Sequence, residues 1–288
     1  MFDDDFRVCF ADTPFGVALH QRIRYQVFCL DRGFEDPNTF STAQETDAWD
    51  DHSAHFIVQN KHTGQWVAAT RLVLPKRGRP LPVDSLDVFH RHRLDKPDLP
   101  VGEVSRFCII GGKGHAGIDD RHQIEPNSLE AWGIGAIEKR QQFEITLGMI
   151  RSLIVFALKH DVVHCVMLIT DAFARLLRKL GVSLRQVGPV TEHRGMRTTY
   201  MVNMRETAIS MAQKSSKVRG LFKRSRKAYV RISSVSIEDT FESITEFAPD
   251  HTLFDETVFR ETILLPAEKD SDLGPPQAVN HPSPAPKS

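Results

Sequence analysis

Two short stretches of this chain hold charged residues at spacings that could do chemistry. The first runs from Glu45 to Asp50 and sets Glu45, Asp47 and Asp50 around the aromatic side chain of Trp49. Carboxylates that meet in a cleft can bind an amine or take a proton from it, provided that cationic partners offset the cost of burying them. The stretch therefore indicates either a binding site or a structural network of ion pairs.

The second stretch begins at Glu103 and places Ser105 and Arg106 within an apolar run, while Arg71 and Arg24 lie upstream on a predicted strand and a predicted helix. Arginine holds carboxylates by paired hydrogen bonds, so these residues and the acidic ones could bind a zwitterion. A glutamate in a partly dry site could also deprotonate an amine that attacks an acyl group. The other interpretation is a buried salt-bridge network that fastens the N-terminal helix to the sheet, and position alone leaves both open.

The elements that must position these residues alternate between strands and helices. A helix begins at Thr13 and Pro14, which suit its N-cap and first turn, and a loop containing glycine joins two strands into a hairpin. The predicted strands are residues 6–11, 54–59, 66–74, 101–110, 164–169, 184–187 and 199–204, and the later predicted helices are residues 144–159 and 171–180. This order implies a mixed α/β sheet with helices on both faces.

The overall composition excludes several classes of protein. The 288-residue chain has 37 basic and 37 acidic residues, so no net charge attracts it to nucleic acid or to a membrane. Its four cysteines lie far apart, which is typical of buried thiols in a reducing compartment. No apolar run is long enough to span a bilayer, and the start of the chain lacks the basic and apolar regions of a signal peptide. We therefore expect a soluble, cytoplasmic protein.

The last part of the chain differs in composition from the rest. Residues 214–231 contain eight basic side chains and no acidic one, whereas residues 238–272 contain eleven acidic side chains and two basic ones. Residues 272–288 are rich in Pro, Ser and Ala. We expect a main domain over residues 1–205, an extension over residues 206–271 that packs on or flanks it, and a disordered tail over the final stretch.

In chain order, the candidate residues resemble the signature of acyl-homoserine-lactone (autoinducer) synthases. The resemblance rests on five elements: Arg24, Phe28, the run E-T-D-A-W-D at residues 45–50, Arg71 in A-T-R-L, and E-V-S-R-F at residues 103–107. It covers roughly residues 6–204. It implies a GNAT-like (acyl-CoA N-acyltransferase) fold, of α/β or α+β class, which agrees with the predicted alternation of strands and helices.

The resemblance implies an acyltransferase enzyme that moves a fatty acyl group from a phosphopantetheine thioester to a small amine such as an amino acid. The donor would be acyl carrier protein or acyl-CoA. Glu103 is then the expected base, with Ser105 and Arg106 beside it as further catalytic residues. The thioester arm is expected between the strands at residues 101–110 and 164–169, which splay apart, and backbone N–H groups there would polarise the developing oxyanion.

A substrate-binding set follows from the same resemblance. The N-terminal helix would form part of a cap over the amine pocket, and the acidic residues with Arg71 would form the electrostatic cluster that orders this cap. The implied set is Arg24, Phe28, Phe34, Glu45, Asp47, Trp49, Asp50 and Arg71.

Departures from the family pattern bear on the acceptor. Phe34 stands where the family usually has Trp, the connection at residues 75–100 is long, and the chain continues well beyond Arg205. In these respects the chain is more similar to the exosortase-associated (PEP-CTERM) acyltransferases, and N-acyl amino acid synthases are another relative. The alternatives left open are a true acyl-homoserine-lactone synthase that uses S-adenosylmethionine and a non-catalytic module that binds an acyl carrier or a lipid signal.

Other motifs predict less. The glycines of residues 111–117 match neither a phosphate-binding loop nor the loop of coenzyme-A-using GNAT enzymes, which favours acyl carrier protein as the donor. His160 and His164 lack the glutamate of a zinc motif, so we expect no metal and no bound cofactor. Residues 214–231 have too few aromatics for a nucleic-acid platform; they could steer an acidic acyl carrier protein or pair with the acidic segment that follows.

Overall fold

The computed structural model describes residues 2–86, 88–91, 99–111, 135, 137–223 and 228–234. The centre of the fold is one eight-stranded sheet in the order β6-β7-β5-β4-β3-β2-β1-β8. The strands are β1 (Phe6–Phe10), β2 (Ser53–Asn60), β3 (Trp66–Val73), β4 (Val101–Ile109), β5 (His164–Ile169), β6 (Leu184–Glu192), β7 (Met196–Asn203) and β8 (Val230–Arg231). Two pairs, β1–β8 and β4–β5, are parallel and the others are antiparallel, so the sheet is mixed.

Six α-helices accompany the sheet in the described part of the chain. They are α1 (Phe2–Asp5), α2 (Pro14–Tyr25), α3 (Lys139–Lys159), α4 (Asp171–Leu180), α5 (Met204–Lys214) and α6 (Ser216–Lys223). None of these helices has both the length and the apolar character that crossing a bilayer requires.

Helix α2 covers one face of the sheet. Thr13 caps it by accepting a hydrogen bond from the backbone N–H of Gly16, and Pro14 occupies the first turn, as predicted. The apolar stripe of α2 packs on Ile57 of β2 and Ala69 of β3. After Tyr25 the helix continues as one π-helical stretch, Gln26–Asp31, which carries Phe28.

Helix α3 covers the opposite face. Phe56 alternates with Ile57 along β2 and therefore points away from α2. Its ring contacts Phe156 of α3 with 5.3 Å between the ring centroids. Because β3 is packed from both sides, all of its residues are buried. The predicted mixed sheet with helices on both faces is thus confirmed.

The chain after β7 differs from the sequence prediction in detail. The predicted strand 199–204 begins at Met196 and ends at Asn203, because the Asn203 side chain accepts hydrogen bonds from the N–H groups of Arg205 and Glu206 and so caps α5. Helices α5 and α6 were not predicted. The three-region division at residues 205 and 271 stays a prediction, and its tail at residues 272–288 lies outside the described residues, as do residues 112–117 of the glycine stretch.

Candidate active site

Three arginines and three carboxylates meet on the face of the sheet that α2 covers. The arginines come from separate elements: the last turn of α2, the centre of β3, and β4. The carboxylates share the loop that leads into β2. We call this set the charge cluster; it comprises Arg24, Arg71, Arg106, Glu45, Asp47 and Asp50. The sequence-predicted charged residues therefore converge.

The arginines of α2 and β3 are fully buried and bind the acidic loop directly. Arg24 pairs with Glu45 through Nε and with Asp50 through Nη1, the latter at 2.6 Å from Oδ1. Arg71 Nη1 lies 2.5 Å from Asp47 Oδ1 and 2.6 Å from Asp50 Oδ1. The two arginines thus share Asp50, and this sharing ties α2 to β3.

The acidic loop has a local reason to adopt its shape. The Asp47 side chain accepts a hydrogen bond from the N–H of Trp49 at 3.0 Å, and the Asp50 side chain accepts one from the N–H of Asp47 at 3.2 Å. The side chains of Asp47 and Asp50 therefore stabilise the turn of their own loop through backbone N–H groups, and their carboxylate oxygens also bind the arginines. The Trp49 indole lies outside the charge cluster. It donates a hydrogen bond to the carbonyl of Pro80 at 3.0 Å and packs on an apolar part of the core.

A β-bulge brings Arg106 to the cluster. Arg71 pairs with Ser105 and Ala69 pairs with Cys108, so two residues of β4 oppose one residue of β3. Arg106 takes the left-handed conformation with φ of 52° at this point. As a result Ser105 and Arg106, which are adjacent in sequence, both contact the charge cluster. Arg71 Nε donates to Ser105 Oγ at 3.2 Å, and Arg106 Nη2 lies 2.9 Å from Glu45 Oε1.

The ion pairs decide the charges of the cluster. Burial alone would raise the pKa of Glu45, but the attraction of Arg24 and Arg106 outweighs it and lowers the pKa to about 2. The same competition between burial and the neighbouring arginines lowers the pKa of Asp47 and of Asp50. The cluster therefore holds three positive and three negative charges at neutral pH. This geometry agrees with the interpretation as a network that fastens α2 to the sheet, and a direct contact with substrate stays a prediction.

Glu103 differs from the acids of the cluster. Its side chain is 3% exposed, and its Oε2 accepts a hydrogen bond from the N–H of Val83 at 2.9 Å. Burial dominates here and raises the pKa of Glu103 to about 8, although Val83, Arg71 and Arg106 act in the opposite direction. A carboxyl that exchanges its proton near neutral pH suits a general base.

The sheet opens directly beyond Glu103. The parallel pairing of β4 with β5 extends only from Val101 opposite His164 to Glu103 opposite Val166. Past that point β4 stays paired with β3, and β5 stays paired with β7 as far as Ile169. The residues of β4 are buried up to position 104 and half-buried from 105 to 107. The predicted separation of these two strands is therefore confirmed, with Glu103 at its closed end.

Two aromatic rings lie next to Arg106 of the charge cluster. Phe28 and Phe34 stack with their ring centroids 6.4 Å apart and their planes 21° from parallel. The guanidinium of Arg106 lies over the Phe28 ring, 5.6 Å from its centroid. The two phenylalanines predicted for the amine pocket thus lie together and next to the cluster.

Two residues of this region were not predicted from the sequence. Val83, which binds Glu103, lies in the long connection at residues 75–100, where no periodic pattern marks a contact. Arg197 lies over the Phe34 ring at 5.7 Å from its centroid. It fell outside the predicted strand 199–204, although its alternation with Met201 is the signal that could have found it.

No group of three or more His, Cys, Asp or Glu side chains among the described residues is arranged to hold a metal ion. All four cysteines are buried free thiols. The described site offers a buried carboxyl, a set of guanidinium groups and the strand edges of the opening.

Comparisons with known proteins agree with this architecture. The family model described as an acetyltransferase (GNAT) domain matches residues 23–111, which include the whole charge cluster and Glu103. A comparison with curated proteins found no match.

Among solved structures, TofI in a ternary complex with an inhibitor and MTA is 17% identical, with a TM-score of 0.50 over 74% of this chain and 99% of that one. The AHL synthase LasI is 18% identical, with a TM-score of 0.49 over 72% of this chain and 94% of LasI. FeeM, an N-acyl amino acid synthase from uncultured soil microbes, is 12% identical, with a TM-score of 0.44 over 73% and 96%. At these identities the likeness concerns the fold. The chain thus has a GNAT fold and carries an acyltransferase domain.

Proposed function

We propose that this protein is an N-acyltransferase that moves a fatty acyl group from a phosphopantetheine thioester to a small amine. The observation that carries the proposal is the opening between β4 and β5 with Glu103 at its closed end. Where the strands separate, their facing edges lose each other as hydrogen-bond partners. An extended pantetheine arm carries amide groups that can replace those partners.

The proposed reaction exchanges a thioester for an amide. Glu103 accepts a proton from the acceptor ammonium, the neutral amine attacks the thioester carbonyl carbon, and the C–S bond breaks to release the thiol. The departing thiolate takes the second proton of the amine, so the products are the N-acyl amine and the free phosphopantetheine thiol, which remains attached to acyl carrier protein or coenzyme A, and Glu103 returns its proton to solvent. Because the pKa of Glu103 is about 8, its carboxylate is basic enough to take this proton near neutral pH. Backbone N–H groups of β4 next to the bulge would stabilise the tetrahedral oxyanion.

The charge cluster would act by positioning. It fixes α2, and through the π-helical stretch it fixes Phe28, against β3 and β4. Ser105, held by Arg71, and Arg106, stacked on Phe28, would line the passage between the base and the aromatic rings. Such a pre-arranged pocket lowers the entropy that the reaction must lose.

We also propose the acyl donor and the group of acyltransferases to which this chain belongs. Acyl carrier protein is favoured over acyl-CoA, because residues 214–231 supply basic side chains at which an acidic carrier could dock. We propose that the chain belongs with the exosortase-associated acyltransferases, on the grounds of Phe34, the long connection at residues 75–100 and the long chain beyond Arg205. We expect the reaction in the cytoplasm.

A thioester-release assay tests the proposal. Purified full-length protein is given long-chain acyl carrier protein or acyl-CoA with a panel of amines, and the free thiol and the N-acyl product are measured. Wild type should release thiol only in the presence of an acceptor, and Glu103→Gln should lose most of this activity. Glu206→Gln, a change at an exposed glutamate, is the matched control.

The other functions would give different results in this assay. Formation of an acyl-homoserine lactone from S-adenosylmethionine would identify a true autoinducer synthase. Tight binding of acyl carrier protein without any acylated product would favour the non-catalytic module and contradict the proposal.

A further inference from the structure

The hairpin of β6 and β7 extends to the loop that follows the π-helical stretch. At its tip Arg194 forms an ion pair with Glu35. Two residues into β7, Arg197 places its guanidinium over the ring of Phe34. The tip of the hairpin is therefore fixed against the aromatic residues assigned to the acceptor pocket.

Arg197 lies on the same face of the sheet as the charge cluster. Arg197 and Met201 are four residues apart along β7, so their side chains lie on the same face of the sheet. Met201 packs in one core cluster with Val73 of β3. Val73 and Arg71 are two residues apart along β3 and therefore also share one face. Because β7 pairs with the end of β5 through Thr198 opposite Ile169, Arg197 stands beside the opening, across from β4.

The charge of Arg197 is not neutralised within the described part of the chain. Arg106 pairs with Glu45 and Asp47 of the charge cluster, and Arg194 pairs with Glu35. Arg197, in contrast, has no carboxylate partner there: its Nη2 donates to the carbonyl of Arg194 at 3.4 Å, and its buried Nε–H has no acceptor. Burial and the charges of Arg194 and Arg106 lower the pKa of Arg197. A buried donor without an acceptor is costly, which calls for a ligand that supplies one.

We propose that Arg197 binds the carboxylate of the acceptor, so that the acceptor is an amino acid or another amine that carries a carboxylate. This inference rests on the proposed N-acyl transfer and adds the chemical class of its acceptor. The guanidinium fork matches the two oxygens of a carboxylate, and the Phe34 ring supports its plane. The stacked Phe28 and Phe34 rings would contact the apolar part of the acceptor while its amine turns toward Glu103.

The test compares amino acids with their carboxamides, which keep the shape of the acceptor and remove the negative charge. The full chain is incubated with decanoyl acyl carrier protein or decanoyl-CoA and each L-amino acid or its amide, and thiol release is followed. Wild type should prefer at least one amino acid over its amide. Arg197→Gln should raise KM for that amino acid about ten- to hundredfold, leave kcat near wild type and abolish the preference.

Two further variants separate binding from general damage. Arg197→Lys keeps the charge without the fork and should recover part of the affinity. Arg185→Gln removes an exposed charge from the same hairpin and should behave as wild type. Equal use of acids and amides by wild type, or a preference that survives in Arg197→Gln, would overturn the assignment and leave N-acyl transfer standing.

If no amine is acylated, the proposed function fails, and the role of Arg197 as a carboxylate site is then tested by measuring ligand binding. Isothermal titration calorimetry with the same acids and amides is then the measurement. Binding of an amino acid, but not of its amide, that is lost in Arg197→Gln would support the carboxylate site. Absence of any such binding in wild type would overturn it.

Discussion

The substitution Glu103→Gln should remove catalysis and, at alkaline pH, stabilise the fold. Glu103 is buried, and its pKa of about 8 stands far above the ordinary value of 4.5. Between these two values the folded protein holds a proton on this group that the unfolded chain has released. The stability of wild type that depends on Glu103 is therefore fully present below about pH 4.5 and is lost as the pH rises to about 8.

The size of this effect follows from the pKa difference. Each unit of difference corresponds to about 1.4 kcal/mol, so the full loss amounts to about 5 kcal/mol. Glutamine has nearly the same shape, does not titrate and can accept the hydrogen bond from the N–H of Val83. The free energy of unfolding of wild type minus that of the variant should thus fall by about 5 kcal/mol between pH 4.5 and pH 9 and then level off.

Urea denaturation at a series of pH values measures this difference in unfolding free energy. Measurement of kcat/KM over the same pH series tests the predicted loss of catalysis. For wild type, kcat/KM should rise with pH and level off above about 8, and the variant should lose about 10²- to 10⁴-fold. Glu206→Gln, at an exposed position, should change neither quantity. If the difference in unfolding free energy between wild type and Glu103→Gln were independent of pH, the reasoning about a buried neutral carboxyl would be refuted.

Two further predictions concern stability. Glu45→Gln should destabilise the fold by about 3–5 kcal/mol at pH 7, because it removes one of the three negative charges that balance the arginines of the cluster and leaves Arg24 and Arg106 with only Asp47 and Asp50 as charged partners. Since the pKa of Glu45 is lowered to about 2, its contribution is present above about pH 4.5 and lost as the pH falls toward 2, and urea denaturation at pH 7 and pH 3 checks both. Gly102→Ala should cost about 1–3 kcal/mol, because its Cβ would lie 2.9 Å from a carbonyl oxygen of β3. Gly111→Ala, whose Cβ would meet its nearest atom at 3.6 Å, should cost less in the same measurement, and equal costs would contradict this account.

Much of the fold could be predicted because the informative patterns are local. The cap at Thr13 and Pro14 marks the start of α2, and Gly181, with a φ of 98°, marks the end of α4. The apolar runs around the hairpin loop marked β2 and β3. Convergence of Arg71 with the acidic loop also followed from sequence, because charges in strands packed on both faces require partners of opposite sign.

Other features depend on contacts between distant residues. The bulge at Arg106 arises from the register of β4 on β3, which the residue types alone do not specify. The N–H of Val83 reaches Glu103 from twenty positions earlier, through a connection without periodicity. Helices α5 and α6 follow a strand whose end is set by the cap that the Asn203 side chain makes on α5.

The central claim, acyl transfer to an amine at the opening beside Glu103, is tested most directly by mass spectrometry of lipid extracts from cells that express the full chain. Cells with the wild-type protein should contain a new N-acylated amine, which would identify acceptor and acyl chain together, and cells with an equal amount of Glu103→Gln protein should contain little or none. Extracts without any new acylated amine from cells rich in folded wild-type protein would contradict the account.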